Sequence, residues 1–520
     1  MLHLPLPYTL LNSLLGLLLG LIGLPASAAD QQVAEYAPGS YQHADKQLQS
    51  ALKKRLQTGR ARGVILFIGD GMSIATVTAG RIYTGQQRGG SGEEHQLSFE
   101  KFPQLALSKT YNSNQQTPDS AGTMTAMISG EKTKAGVIGL DSRALRASTD
   151  SCRGHTIETL LERAEDRGWA TGIVTTTALT HATPAAAYAH SPERNWESDA
   201  DLPANAADKD CRDIATQLIE FDHGDGLEVA LGGGRQQFLP REQGGLRRDG
   251  RNLINEWQQR HPDGHYLDSA SALGALSRDD RAKKKPTPLL GLFASSHLSF
   301  EGSRATDSEE PSLEAMLEVA LQQLQRQRKF LLIVEGGRID HAHHAGNAYH
   351  ALEELLAFER AVARADALTA DRDTLLIVTA DHSHTLTMAG YPTRGNPILG
   401  FVKGNDDSGR AEEGFSLAAD KKPYTTLSYA NGRGYHNQPI DKKYGSHGRY
   451  MTPIQVGRHT TADDDPQSPH YHQEANVPLM VETHAGDDVA IYAQGPWAHL
   501  LNGVVEQNYI YHVMRHAMGL

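Results

Sequence analysis

Acids, imidazoles and hydroxyls recur in this sequence at one kind of place, directly after a short run of β-branched and apolar residues. "GVILFIGDGM" sets Asp70 behind the run 64–68. "GWATGIVTTTALTHATP" leads to His181 and Thr183, with Arg194 further on. "FLLIVEGGRIDHAHH" supplies Glu335, Asp340, His341, His343 and His344, and "LLIVTADHSH" supplies Asp381, His382 and His384. In an open α/β sheet, ligands bind beyond the carboxyl ends of the strands, so four such runs would deliver these groups to one edge. A single Asp there is ordinarily a helix cap or a turn residue. Several carboxylates gathered on one edge repel one another, and cations remove that repulsion. The joint pattern implies a polynuclear metal site.

Ligand type selects the ions: mixed His and carboxylate sets suit Zn2+, and all-oxygen sets suit Mg2+. Asp340 and His344 meet at one ion if the chain between them turns as a helix. Adjacent Asp381 and His382 serve a second only through a sharp turn. Catalytic zinc usually takes three protein ligands and keeps an open position, so the first ion lacks one. His436, His447, His459, His470, His472 and His484 are all candidates. His484 is preferred because it ends an irregular segment and opens a returning strand, though spacing alone does not settle it.

"TPDSAGTMTAM" poses a separate problem. Ser120 follows an acid and precedes small residues, yet it has no Gly-x-Ser-x-Gly elbow, no Ser-x-x-Lys and no histidine within twenty residues. By itself it reads as a helix N-cap. Beside metal ions, coordination would lower its pKa and make it an alkoxide nucleophile. The turn into a helix would favour an anion there, and Arg194 offers a bidentate fork for a phosphoryl group. The chemistry these groups fit is phosphoryl transfer from a dianionic monoester.

These residues need a scaffold, and the chain has the length for one, with 520 residues, 39% hydrophobic and 22% charged. Helix-patterned segments such as "HTIETLLERAEDRG" and "SLEAMLEVALQQLQRQ" alternate with buried-strand runs, including 330–334 and 374–378. The expected fold is α/β, a large, mainly parallel central sheet with helices on both faces. Residues 386–475, rich in Gly, Asp, Tyr, His and Pro, break the rhythm and read as a loop-rich insertion packed on the main domain. A net charge of −12 argues against a nucleic-acid-binding domain. The apolar stretch 10–24 followed by "PASAAD" reads as a signal peptide, 1–28, cleaved after Ala28, with an N-terminal arm over 29–60 and the catalytic domain over 61–520. A periplasmic or secreted location follows, with no membrane anchor. In that compartment the two cysteines, Cys152 and Cys211, are expected to form one disulfide.

The motifs "FIGDGM", "PDSAGTMTA", "VTTTALTHATPAAAYAHSPERNW", "VEGGRIDHAHHAG", "VTADHSH" and "ETHAGDD", in this order after residue 60, resemble the alkaline phosphatases, in detail the animal-type enzymes. The resemblance implies that Ser120 becomes phosphorylated and that Arg194 binds the phosphate oxygens. It implies one zinc on Asp340, His344 and His484, and a second on Asp70, Asp381, His382 and the Ser120 oxygen. Magnesium would lie on Asp70, Thr183 and Glu335, with Asp119, His181 and His341 as supporting groups. The alkaline phosphatase-like fold, hydrolysis of phosphate monoesters to an alcohol and inorganic phosphate, and a homodimer with a crown-like insertion are implied as well. The family's calcium glutamate is replaced by Ala294, so no calcium site is expected. Sulfatases share the architecture but use a Cys-x-Pro-x-Arg type motif, which the surroundings of Ser120 lack. A phosphate or zinc scavenger of the same fold would bind without turnover.

Overall fold

The computed structural model describes residues 56–279, 286–370, 373–434 and 460–520 with a few isolated positions, so the expected signal peptide and nearly all of the arm lie outside the described residues. Ten strands form the central sheet. They are β1 (Gly63–Gly69), β2 (Gln104–Lys109), β3 (Ala170–Ala178), β4 (Val229–Gly233), β5 (His265–Leu267), β6 (Leu289–Leu292), β7 (Phe330–Gly336), β8 (Thr374–Thr379), β9 (Val489–Gln494) and β10 (Gly503–Glu506). Their spatial order is β10-β2-β9-β8-β1-β7-β3-β4-β6-β5. Only β9 runs against its neighbours, pairing antiparallel with both β8 and β2. The mainly parallel sheet inferred from the alternation of runs is the one observed.

Burial on both faces explains why these strands are continuous apolar runs. Every residue of β1, β3, β7 and β8 is buried. The side-chain alternation of a strand then splits β1 between two cores, with Val64, Leu66 and Ile68 in one layer and Ile65 and Phe67 in the other. Helices cover both layers. The first contains α2 (Ser120–Ser129) and α6 (Tyr509–Met518), and the second contains α3 (Leu313–Leu324) and α5 (Ala348–Thr369). Phe67 meets Phe358 of α5 edge to face, with ring centroids 6.0 Å apart. Each such fully buried side chain stabilises the fold by ~1.5–3 kcal/mol.

The described residues of the segment 386–475 include Leu386–Met388 and Leu427–Gly432, which with Ala475–Pro478 form a three-stranded sheet. Its Leu386, Ile398, Leu399, Leu427 and Tyr429 pack on Ile82 and Tyr83 of α1 (Ile74–Gln87) and on Leu352 of α5. The Cys152–Cys211 disulfide is formed, joining positions 59 apart in sequence.

Candidate active site

Register brings the site together. On the central strands Ile68 of β1 lies beside Glu335 of β7 and Thr379 of β8, and Thr175 of β3 lies on the other side of Glu335. The chain then leaves β1 at Asp70, β8 at Asp381 and His382, and β7 into α4 (Arg338–His344), which carries Asp340 and His344. Each group stands at a carboxyl end, where open α/β sheets bind ligands. Asp70, Asp381 and His382 are fully buried.

Three sets of ligand atoms converge. In the first, Nε2 of His344 and Nε2 of His484 lie 3.1 Å apart. Both also face Asp340 Oδ1, at 3.3 and 3.2 Å. Their other nitrogens point to backbone carbonyls, His344 Nδ1 to Glu482 at 2.6 Å and His484 Nδ1 to Pro118 at 2.8 Å. A carbonyl can only accept, so Nδ1 carries the proton in each ring and both Nε2 lone pairs face one another. Two facing lone pairs and a carboxylate make a cation site. Burial pushes His344 down to about 4, which keeps the ring neutral for metal binding.

The second set is Asp70, Asp381 and His382, whose ligand atoms lie within 4.8 Å of one another. His382 Nε2 stands 3.2 Å from Asp381 Oδ2, 3.4 Å from Asp70 Oδ1 and 3.1 Å from Ser120 Oγ. The Gly71 amide donates to Asp381 Oδ1 at 3.0 Å, and the His382 amide donates to the same oxygen at 2.9 Å. Ser120 opens α2, with Asp119 as its N-cap accepting from the Gly122 amide.

The third set is Asp70, Glu335 and His181. Thr175 and Thr177 both donate to Glu335 Oε2, where β3 shifts register against β4. Glu335 Oε1, both carboxylate oxygens of Asp70 and Thr183 Oγ1 are buried without a hydrogen-bond partner. Orphaned buried oxygens on several acids mark a place where a cation fits. Burial, then the charges of Asp381, Asp340 and Glu335, push the Asp70 carboxyl well above the ordinary range. Burial likewise carries Glu335 to about 7. Positive ions would reverse both shifts.

Beside these sets a cavity of about 220 Å3 exposes Ser120, Arg194, His181, Asp340, His344 and His484, with Asp119 in its wall. Arg194 NH1 donates to Asp119 Oδ2 at 3.1 Å, and NH2 stands 3.2 Å from His181 Nε2. Burial alone would raise the Asp119 carboxyl; Arg194 and the amides of Gly136 and Gly122 outweigh it and hold the carboxyl below its usual range. His341 meets the site only indirectly, its ring 5.4 Å from that of His181 and its Nδ1 2.6 Å from Arg338 NH1.

The residues expected from sequence thus converge, with His181 nearer the acids than a supporting group needs to be. Of the other histidine candidates, His470 is exposed, and His472 is buried against the Ala345 carbonyl. His436 pairs with His472 in a short ribbon, and His447 and His459 lie outside the described residues. Two groups carry a role that sequence reasoning did not assign. His384 Nε2 lies 2.6 Å from Asp340 Oδ1, and its Nδ1 lies 2.6 Å from Glu482 Oε2. The adjacency of His384 to "ADH" and of Glu482 to His484 was the available signal.

The sequence model of the family described as Alkaline phosphatase matches residues 61–520. The chain is 42% identical over 489 residues to an alkaline phosphatase of Gadus morhua, covering 91% of this chain and 95% of that protein. It is 43% identical over 494 residues to the tissue-nonspecific alkaline phosphatase isozyme of Gallus gallus, covering 92% and 88%. The alkaline phosphatase structures of Thermus thermophilus and of the Antarctic bacterium TAB5 share the fold. Their TM-scores are 0.63 and 0.59 at 24% and 20% identity, covering 91% and 89% of this chain and 95% and 99% of theirs. The chain belongs to the alkaline phosphatase family, enzymes that hydrolyse phosphate monoesters.

Proposed function

We propose that this phosphatase works through a covalent phosphoserine on Ser120. The observation that carries the reading is the position of Ser120 Oγ, 3.1 Å from His382 Nε2 and in one cavity with Arg194. A Ser–His base pair is the obvious rival. It fits poorly, because the same Nε2 faces Asp381 and Asp70, and burial holds the ring well below its ordinary pKa. Nε2 is better read as a ligand atom beside the serine oxygen than as its base.

Two zinc ions, one on Asp340, His344 and His484 and one on Asp70, Asp381, His382 and Ser120, with magnesium on Asp70, Thr183 and Glu335, would supply Lewis-acid stabilisation of the oxygens at phosphorus. The chain's own groups do the rest. Arg194, held at NH1 by Asp119 and with NH2 beside His181 Nε2, offers its other N–H donors to the phosphoryl oxygens. Ser120 Oγ attacks phosphorus as the bond to the alcohol oxygen breaks, and the alcohol leaves with a proton. Water then attacks the phosphoserine, freeing inorganic phosphate and restoring Ser120. Two displacements leave the configuration at phosphorus unchanged. The N-terminal end of α2 adds favourable potential at the developing anion. His181 would support the magnesium and Asp119 supports Arg194, with the His341 ring 5.4 Å from that of His181.

Residues 386–475, of which Leu386, Ile398, Leu399, Leu427 and Tyr429 pack on α1 and α5, are assigned as the crown of a homodimer, and the chain as an exported enzyme of the periplasm or medium. The disulfide supports that compartment. No helix among the described residues is long and apolar enough to cross a membrane. The purified protein is expected to hydrolyse p-nitrophenyl phosphate at mildly alkaline pH, to lose activity on chelation and to recover it with zinc and magnesium together. Full turnover by metal-free protein would overturn this reading.

A further inference from the structure

Arg146 lines the same cavity as Ser120 and Arg194, yet the reaction as derived does not use it. We propose that Arg146, with the Asn195 side chain, forms a second anion subsite at the cavity mouth, favouring phosphomonoesters whose alcohol carries a carboxylate close to the ester oxygen. The proposal rests on the phosphatase reading and adds a substrate class to it.

The guanidinium is built into place. Its Nε donates to Glu193 Oε2 at 2.8 Å and its NH2 to Glu193 Oε1 at 3.1 Å, a side-on pair that leaves NH1 over. The Arg146 side chain is 46% exposed, whereas that of Glu193 is only 11% exposed. The Asn195 backbone amide donates to Glu193 Oε1 at 3.1 Å, fixing the carboxylate and setting the exposed Asn195 beside the arginine. Behind Arg146 the chain takes a left-handed turn at Ala147, φ 56°, with the Ala147 amide on the Pro192 carbonyl at 2.9 Å.

Gly136 sets the spacing between the two arginines. Its φ is 78°, and a Cβ there would stand 2.1 Å from Arg146 Nε, so the guanidinium lies directly on the glycine. The Gly136 amide donates to Asp119 Oδ2 at 2.8 Å, the oxygen that also accepts from Arg194 NH1. The Gly136 carbonyl accepts from the Arg194 amide at 2.9 Å. Arg194 and Arg146 are therefore held across one residue on one cavity, Arg194 mostly buried and Arg146 nearer the solvent. A guanidinium already fixed on one edge loses little freedom when it binds a second planar anion. The Asn195 carboxamide supplies another donor for it.

Glycerol 3-phosphate and 3-phosphoglycerate test this directly. They share a carbon skeleton and a primary ester, and only the second carries a carboxylate. With the metal-loaded enzyme, Arg146→Gln is expected to lower kcat/KM for 3-phosphoglycerate about tenfold, the worth of one charge-assisted hydrogen bond, mainly through KM. The value for glycerol 3-phosphate should fall less than about twofold. Arg146→Lys, which keeps the charge without the fork, should recover part of the difference. If Arg146→Gln does not fold, Asn195→Asp places a negative charge at the same rim and should depress 3-phosphoglycerate selectively. Parallel losses for both substrates, or no loss for either, would overturn the subsite. Failure of the underlying reading looks different, because wild type would then turn over neither compound.

Discussion

His384 stands in one group of ligand-type side chains with Asp340, His344 and His484, and its contacts decide how Asp340 can act. Its Nε2 holds Asp340 Oδ1 at 2.6 Å, and Glu482 holds its Nδ1 at 2.6 Å, with every partner buried. The same Oδ1 faces the Nε2 atoms of His344 and His484, so the chain from Glu482 through His384 fixes the carboxylate at the ion position. Partners of this kind typically change metal affinity by about 10–100-fold. His384→Ala is expected to release zinc to a competing chelator at correspondingly lower chelator concentration, while the fold, read by circular dichroism, persists. Unchanged zinc retention would show that Asp340 needs no such support.

At the scale of elements, the sequence was most legible where strands are buried on both faces. β1, β7 and β8 read as continuous apolar runs because neither side meets water, and the acids that follow them could be placed on one edge from that alone. The spacing of Asp340 and His344 could be read because α4 turns between them. Other contacts left no local trace. His384 and Glu482 are 98 residues apart, and Ser120 and His382 are 262 apart. Nothing local reports that β9 inserts antiparallel between β8 and β2, the step that carries the returning chain past His484. Thr175 and Thr177 read as strand formers from their β-branching, and only the register shift in β3 shows them as donors to Glu335. Arg146 lies in an irregular loop after α2, where no periodicity points to the cavity.

Across the whole molecule the two edges of the sheet differ in their charge balance. The carboxyl edge gathers acids around cation positions, whereas the amino ends of β3 and β4 bury Glu165 and Glu228 together. Thr171 donates its hydroxyl to Glu165 and its amide to Glu228, the latter at 2.7 Å. Burial pushes Glu165 up to about 9, with the Glu228 charge adding to it, and burial pushes Glu228 up to about 8. An unfolded glutamate titrates near ~4.3, so above that value the folded chain holds protons the unfolded chain has released. Stability therefore falls as pH rises from ~4.3 toward 9 and levels off beyond it. Glu165→Gln is expected to raise the unfolding midpoint by a few degrees at pH 9.5 and to change it little near pH 4.5. Equal shifts at both values would contradict the assignment. The central claim concerns the opposite edge, and rapid acid quench of the metal-loaded enzyme during turnover tests it most directly. Peptide mass mapping is expected to find one added phosphoryl group on Ser120 and none in Ser120→Ala, whose kcat should fall about 10^3-fold or more. Turnover with no phosphorylated Ser120 at any quench time, together with an active Ser120→Ala, would contradict the account.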